Sequence, residues 1–422
     1  MNARRLPHTA LDLLSLSASE RDVIFSTIGK MRSSGAWDYP VPTNGDFERM
    51  TLDDIIYWVH KAAEPLRRAV RDSGLERFFA VQVPPALPEG FRSLDRLSFA
   101  AAGDLMDHDD LPRSGGTLYS AIASLLFEAD VCTANLEAVV TSERQTLEVT
   151  TTQSPSLIYR EGSFEAVTGD GARPFTFVST ACNHSLDGGA AGVSDTQAAL
   201  DARGIAWHGT YRDQAASRRS TIVDAKGFKL GMVSHTFGLN GRRPPPGQDW
   251  RVSRTHLNGA PRDADLTQLE AQIAHARDEG AELVVGHLHW GLEHEFYPRP
   301  VQLEMAHHLA ELGLDVIIGH HPHVVQPVEY YRTQRDADRV VPIFYSLGNL
   351  VNPFSHPAFC IGGIARLSFV RGVTHAGAMR TYPAQAALDT VFQEHDVQQG
   401  LLRLVPATDQ HRSVLPWMTS NS

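Results

Sequence analysis

The chain has 422 residues, is 42% hydrophobic and carries a formal charge of −11. That length supports a full-sized core in one to three domains, and an acidic balance without any Lys/Arg-rich stripe argues against nucleic acid as a partner. The three cysteines, Cys132, Cys182 and Cys360, are widely spaced and form no Cys-x-x-Cys pair or disulfide framework, so a reducing compartment is expected.

The opening stretch "MNARRLPHTALDLLSLSASERD" has no apolar run long enough for a signal peptide, and nowhere does a run approach the length of a membrane span. A cytoplasmic protein without a membrane partner is the expectation. Residues 1–93 read as a helical N-terminal extension. In "TLDDIIYWVHKAAEPLRRAVRDSGL", Leu52, Ile55, Ile56, Val59, Ala63, Leu66 and Val70 fall on one helical face. Thr51 is the predicted N-cap, Pro65 a possible kink and Gly74 the stop. "VPPALPEGF" (83–91) is a connector.

From residue 94 to 370 short apolar strands alternate with helices. The strands are "LSFAAAGD", "ADVCTANLE", "FTFVSTACNHS", "KLGMVSHTF", "AELVVGHLHWG", "LDVIIGHHPH" and "VVPIFYSLGN". The helices are predicted from Gly192 to Ala202, over "DADLTQLEAQIAHARDEG", and over "RPVQLEMAHHLAELG" with Val301, Met305, Leu309 and Leu312 inward. This alternation predicts an α/β fold. Residues 371–422 are read as a C-terminal segment packing on the core.

Polar clusters sit just past the apolar runs, where loops of α/β sheets converge on ligands. Thirteen of the twenty histidines lie between residues 184 and 323. Asp104, Glu137, Asn183, His184, His289, His320 and His323 are the strand-end residues. Two carboxylates, an amide oxygen and several imidazoles suit zinc, manganese or iron foremost, with calcium and magnesium left open. So many ligands imply two ions sharing a carboxylate. One Asp or Asn at a strand end is more often a turn former; only the ensemble carries weight. His287 is assigned to the face opposite His289, so one of the two is expected at the site. His307 and His308 are read as mid-helix and structural, and His321 as a supporting neighbour.

The ordered blocks "GDLM", "ANLEAVV", "CNHSLDGGAAGVSDTQAALDARGIAWHG", "HWGLEHE", "GHHPHVVQPVE" and "FYSLGN" resemble the CapA (poly-γ-glutamate capsule) family, a branch of the calcineurin-like metallophosphatases. The resemblance runs from about residue 97 to 352. It implies a four-layered α/β/β/α sandwich with a helical extension and a dinuclear metal centre. Asp104, Glu137, Asn183, His289, His320 and His323 would be the ligands, with Glu137 bridging and His184 the acid/base. The superfamily's Asp-x-His is absent, because Leu105 and Met106 follow Asp104; Asp107 or His108 would have to substitute. CapA proteins of capsule synthesis are usually membrane-anchored, and no anchor is read here.

Three readings compete. Hydrolysis of a phosphoryl or acyl centre would use His184 to protonate the leaving group. Epimerisation would remove a proton next to a carbonyl, using His184 on one face and Asp107, His108, Glu293 or His294 on the other. A non-catalytic assembly role is the third. The whole chain, with its extension and its "GDLMDHDD" variant, resembles the lasso-peptide epimerases within this family. That implies a precursor peptide as substrate and inversion of the Cα of its C-terminal tryptophan.

Overall fold

The computed structural model describes residues 17–141 and 156–419; residues 1–16 of the N-terminal stretch lie outside them. Near the N-terminus, helices Ala18–Ser33 and Leu52–Ala63 pack on each other around Ile24, Ile28, Trp37, Ile56 and Trp58. Thr51 caps the second helix, its hydroxyl accepting from Asp54 N–H while the Asp54 carboxylate accepts from Thr51 N–H. This helix ends at Ala63 instead of bending at Pro65, because the residue before a proline is driven out of the helical region. Gly74, expected as a stop, begins the short helix Leu75–Ala80 with φ +73°. Leu52, expected inward, is exposed.

The first sheet contains β1 (Arg92–Leu105), β2 (Val131–Leu136), β3 (Phe177–Ser179) and β4 (Ala206–His208). The second begins with β5 (Thr221–Ala225), β6 (Phe228–Thr236), β7 (Leu283–His289), β8 (Val316–His320), β9 (Val328–Arg332) and β10 (Val340–Phe344). The chain then returns to the first through β11 (Asn349–Val351), β12 (Ile361–Val373), β13 (Met379–Asp396) and β14 (Leu401–Pro406). The orders are β14-β13-β12-β1-β2-β3-β4, with β11 also beside β1, and β5-β6-β7-β8-β10-β9. The strands β1 to β4 are mutually parallel, as are β6, β7, β8 and β10. Segment 371–422 supplies β13 and β14, which with β12 extend the first sheet as an antiparallel ribbon.

Alternation along each strand builds four layers. Phe99, Val131 and Phe177 from one sheet meet Leu230, Val285, Val316 and Ile318 from the other, forming the inner core. Outward residues such as Val284, Leu288 and Ile317 are covered by the helices Thr267–Asp278 and Pro300–Leu312. Ala100, Ala102, Cys132 and Val178 face the opposite outer layer, which includes Leu200 of helix Gly189–Asp201. This is the α/β fold expected from the strand–helix alternation, in the α/β/β/α sandwich that the family resemblance implied. Met305 and Leu309 are buried as expected, whereas Val301 and Leu312 are half-buried. No helix among the described residues is long and apolar enough to cross a membrane.

Candidate metal centre

The parallel strands of both sheets deliver their C-terminal ends to one place. In β2 the inner-facing alternation Val131, Thr133, Asn135 continues to Glu137; in β8 the alternation Val316, Ile318 continues to His320. Asp104 needs a further device. Simple alternation would put it on the outer face with Ala100 and Ala102, but the pairing register of β1 shifts on either side of it. Such a bulge re-aims a side chain, and Asp104 Oδ1 lies 3.1 Å from His320 Nδ1. Gly103 makes this possible: a Cβ there would lie 2.0 Å from the Gly348 carbonyl oxygen.

Around Glu137 Oε1 stand His289 Nε2 and His323 Nε2, each at 3.7 Å. Asn183 Oδ1 is 3.0 Å from His289 Nε2, and Asn135 Nδ2 donates to Asp104 Oδ1 at 2.9 Å. His323 Nδ1 lies 2.9 Å from Asn349 Oδ1; if it donates there, Nε2 is left with its lone pair towards Glu137. The six residues expected to ligate metal are thus brought together. His320 lies beside Asp104, with Nε2 3.1 Å from His287 Nδ1.

Three sets of three residues bring ligand atoms within 4.8 Å of one another here: Asp104, Glu137, His323; Glu137, His289, His321; and Glu293, His321, His323. His321, read from sequence as a neighbour, belongs to two of them, and His320 to none. The turn explains this: His321 and His323 adopt φ +97° and +57°, conformations that swing successive imidazoles inward at some cost in backbone strain. The assignment of His287 to the face opposite His289 fails. Residues two apart in a strand share a face, and His287 indeed points inward, stacked on His320 and tilted against Phe177.

Electrostatics favour neutral imidazoles around a carboxylate that lacks a counter-charge. Burial, reinforced by neighbouring histidines, holds His289, His321 and His294 well below the ordinary histidine value. Burial, then the charges of Asp104 and Glu293, pushes Glu137 well above the usual carboxylate range. Both Glu137 oxygens and both His321 ring nitrogens are buried without a hydrogen-bond partner. Leaving a buried polar group unpaired costs about 1–3 kcal/mol, and more when it is charged. A divalent cation fits this mixed O/N donor set and removes that penalty, and Glu137 belongs to two of the three sets.

The expected acid/base residues fall into two groups. His184 Nδ1 lies 2.7 Å from Asp187 Oδ2, and Asn240 Nδ2 is 3.3 Å from its Nε2. Asp187 also accepts from Leu157 N–H at 2.5 Å and pairs with Arg242 at 3.1 Å. Asp187, Asn240, Arg242 and Asn349 were not singled out from sequence. Only the His184–Asp187 spacing, three residues apart in "NHSLD", offered a signal. His294 (φ +66°) has Nε2 3.6 Å from Glu293 Oε2, its ring packs on Phe359, and its Nδ1 has no hydrogen-bond partner. The contacts of Asp107 run instead to Arg160 (3.2 Å), and burial raises its pKa. His108 packs edge-on against His395, with Nδ1 accepting from Asp110 N–H. Of the helical pair, His307 joins Glu329 at 2.6 Å and His308 is exposed.

Residues 98–353 match the family described as bacterial capsule synthesis protein PGA_cap. The PGA biosynthesis protein CapA of Bacillus subtilis (strain 168) is 25% identical over 263 residues, covering 61% of this chain and 63% of that protein. The capsule biosynthesis protein CapA of Bacillus anthracis is 28% identical over 276 residues, covering 63% and 62%. The chain spans less than two thirds of the length of these relatives. Because the matched segment exceeds half of the chain and carries the whole cluster from Asp104 to His323, the chain belongs to the bacterial capsule synthesis (PGA_cap, CapA) family.

Proposed function

We propose that this protein is a metal-dependent peptide epimerase that inverts the Cα of the C-terminal residue, a tryptophan, of a ribosomal lasso-peptide precursor. The observation that carries this reading is a pair of imidazoles at the two ends of one chain of contacts. From His184 the contacts pass through Asn240, Asn183, His289, Glu137 and His323, whose ring lies 6.1 Å from that of His294. Inverting a stereocentre requires one group to remove a proton and another to return it from the opposite side, whereas hydrolysis needs a single acid/base and water.

Divalent ions held by Asp104, Glu137, Asn183, His289, His321 and His323, with Glu293 in reach of the last two, would supply Lewis-acid stabilisation of the negative charge that develops as the α-proton leaves. The chain's own residues carry the proton. His294, with an unpartnered Nδ1, accepts it, and Glu293 beside its Nε2 stabilises the imidazolium that forms. His184, held at Nδ1 by Asp187, exchanges a proton through Nε2.

The test is incubation of the purified protein, loaded with Mn²⁺ or Zn²⁺, with a candidate precursor peptide in deuterated water. One added mass unit, an unchanged chain length and a D-residue on chiral hydrolysis are expected. The His184–Asp187 pair also suits protonation of a leaving group, so hydrolysis is the alternative; a cleaved or dephosphorylated product without the label overturns the epimerase.

A further inference from the structure

The family match begins at residue 98, yet the helix Leu52–Ala63 reaches the metal centre. The Trp58 indole N–H donates to Glu293 Oε2, and Glu293 is one of the three residues that could hold a cation with His321 and His323. Phe47 packs edge-on against the Trp58 ring at 5.7 Å and fixes its plane. Three further ties anchor this segment to residues 293–299. Lys61 Nζ lies 2.7 Å from Glu295 Oε1, both almost fully buried. Arg299 joins the same carboxylate and donates to Val41 O at 2.8 Å. Leu66 N–H donates to His294 O at 2.9 Å, and Phe296 N–H returns to Leu66 O at 3.0 Å.

Trp58, Phe47, Met50 and Lys61 enclose a residual space of about 10 Å³ against Glu293 and His321, at the lower limit of what one water needs. On the other side of the 42–49 loop opens a cleft of about 540 Å³, lined by Asn44, Arg49, Phe237, Arg254, Tyr297 and Arg299. That volume is in the range of small-ligand sites. Phe237 forms the partition, since its ring also packs on His321 at 4.5 Å.

We propose that residues 42–61 are part of the functional site: Trp58 is a positioning residue that holds Glu293 over His321 and His323, and the 42–49 loop walls the cleft that receives the residues of the peptide substrate preceding its terminal one. The first half is independent of the reaction catalysed; the second rests on the peptide reading above. Glu293 shares its surroundings with Glu137, whose pKa its charge helps to raise. Without the indole N–H, like-charge repulsion favours turning Glu293 out to solvent, and one cation loses a carboxylate.

The test is Mn²⁺ titration of the full chain, followed by electron paramagnetic resonance, in wild type, Trp58→Phe and Trp58→His. Losing a hydrogen bond to a charged group should weaken the affected Mn²⁺ site by about 10- to 100-fold, with partial recovery in Trp58→His, which regains a ring N–H. Equal affinities in all three proteins overturn the positioning role, whereas a wild type that binds no Mn²⁺ overturns the metal centre itself. For the cleft, Asn44→Trp should raise KM for the peptide at least tenfold with kcat retained. An unchanged KM removes the loop from the substrate site, and a wild type that leaves the peptide untouched rejects the peptide reading.

Discussion

Asp187→Asn probes the unit on which the acid/base reading depends. Asp187 Oδ2 faces both His184 Nδ1, at 2.7 Å, and Leu157 N–H, at 2.5 Å, while Oδ1 faces Arg242 at 3.1 Å. An amide cannot satisfy all three. With its oxygen towards His184, its NH₂ group confronts the Arg242 guanidinium, two donors in opposition. Turned round, NH₂ opposes Leu157 N–H and forces His184 Nδ1 to accept, placing the ring proton on Nε2 against Asn240 Nδ2. In either pose a charge-assisted hydrogen bond is lost, worth about 1.5–3 kcal/mol, which corresponds to a fall of roughly 10- to 150-fold in kcat. The Arg242–Asp187 ion pair is also lost, and breaking a buried pair is destabilising, so the melting temperature should drop as well. The assay is single-turnover deuterium incorporation in wild type and variant at matched metal content. A rate within twofold of wild type, in a variant with the expected metal load, would refute the assignment of Asp187 as the group that orients His184.

Other outcomes follow from the same geometry. His321→Ala should lose at least one bound ion per chain, measured by elemental analysis after dialysis against chelator and reloading; full metal content would return His321 to a supporting place. Gly103→Ala puts a methyl 2.0 Å from the Gly348 carbonyl, so the β1 bulge must open, costing about 1–3 kcal/mol by the scale of overpacking; calorimetry showing no loss of stability would contradict the close approach. His235 is buried between Thr255 and Gln272, and burial lowers its pKa from 6.5 to about 4. The unfolded chain therefore takes up a proton that the folded one refuses as pH falls from 6.5 to 4, and stability is lost in that window. The loss reaches about 2 kcal/mol by pH 5, so urea unfolding of His235→Gln should show a shallower acid dependence than wild type between pH 7.5 and 5; parallel curves would dismiss this residue as the cause.

The strands that build the site were legible because each is a short apolar run ending in a polar cluster, and periodicity reports burial directly. Asp104, Glu137, Asn183, His289, His320 and His323 were picked out that way; the structure brings them close together, with His320 beside Asp104 but outside the three ligand sets. The ribbon β12 to β14 was not found. In β13 buried and exposed residues alternate with irregular phase, and its pairing with β12 shifts register near Arg366, so no clean period marks it.

By itself the sequence determined the strand–helix alternation of an α/β fold, the edge at which ligands gather and the chemical character of the donor set, because these follow from local periodicity and residue type; the four-layered sandwich was implied by the family resemblance. Only the tertiary structure decided which donors converge. His321 takes its place through the positive φ of the turn, Asp104 through a bulge supported by the contact of Gly103 with Gly348, and Glu293 through an indole 235 residues away in the chain. Direction within a turn and partnership across such distances depend on how the backbone is packed, and no local pattern of residues encodes them.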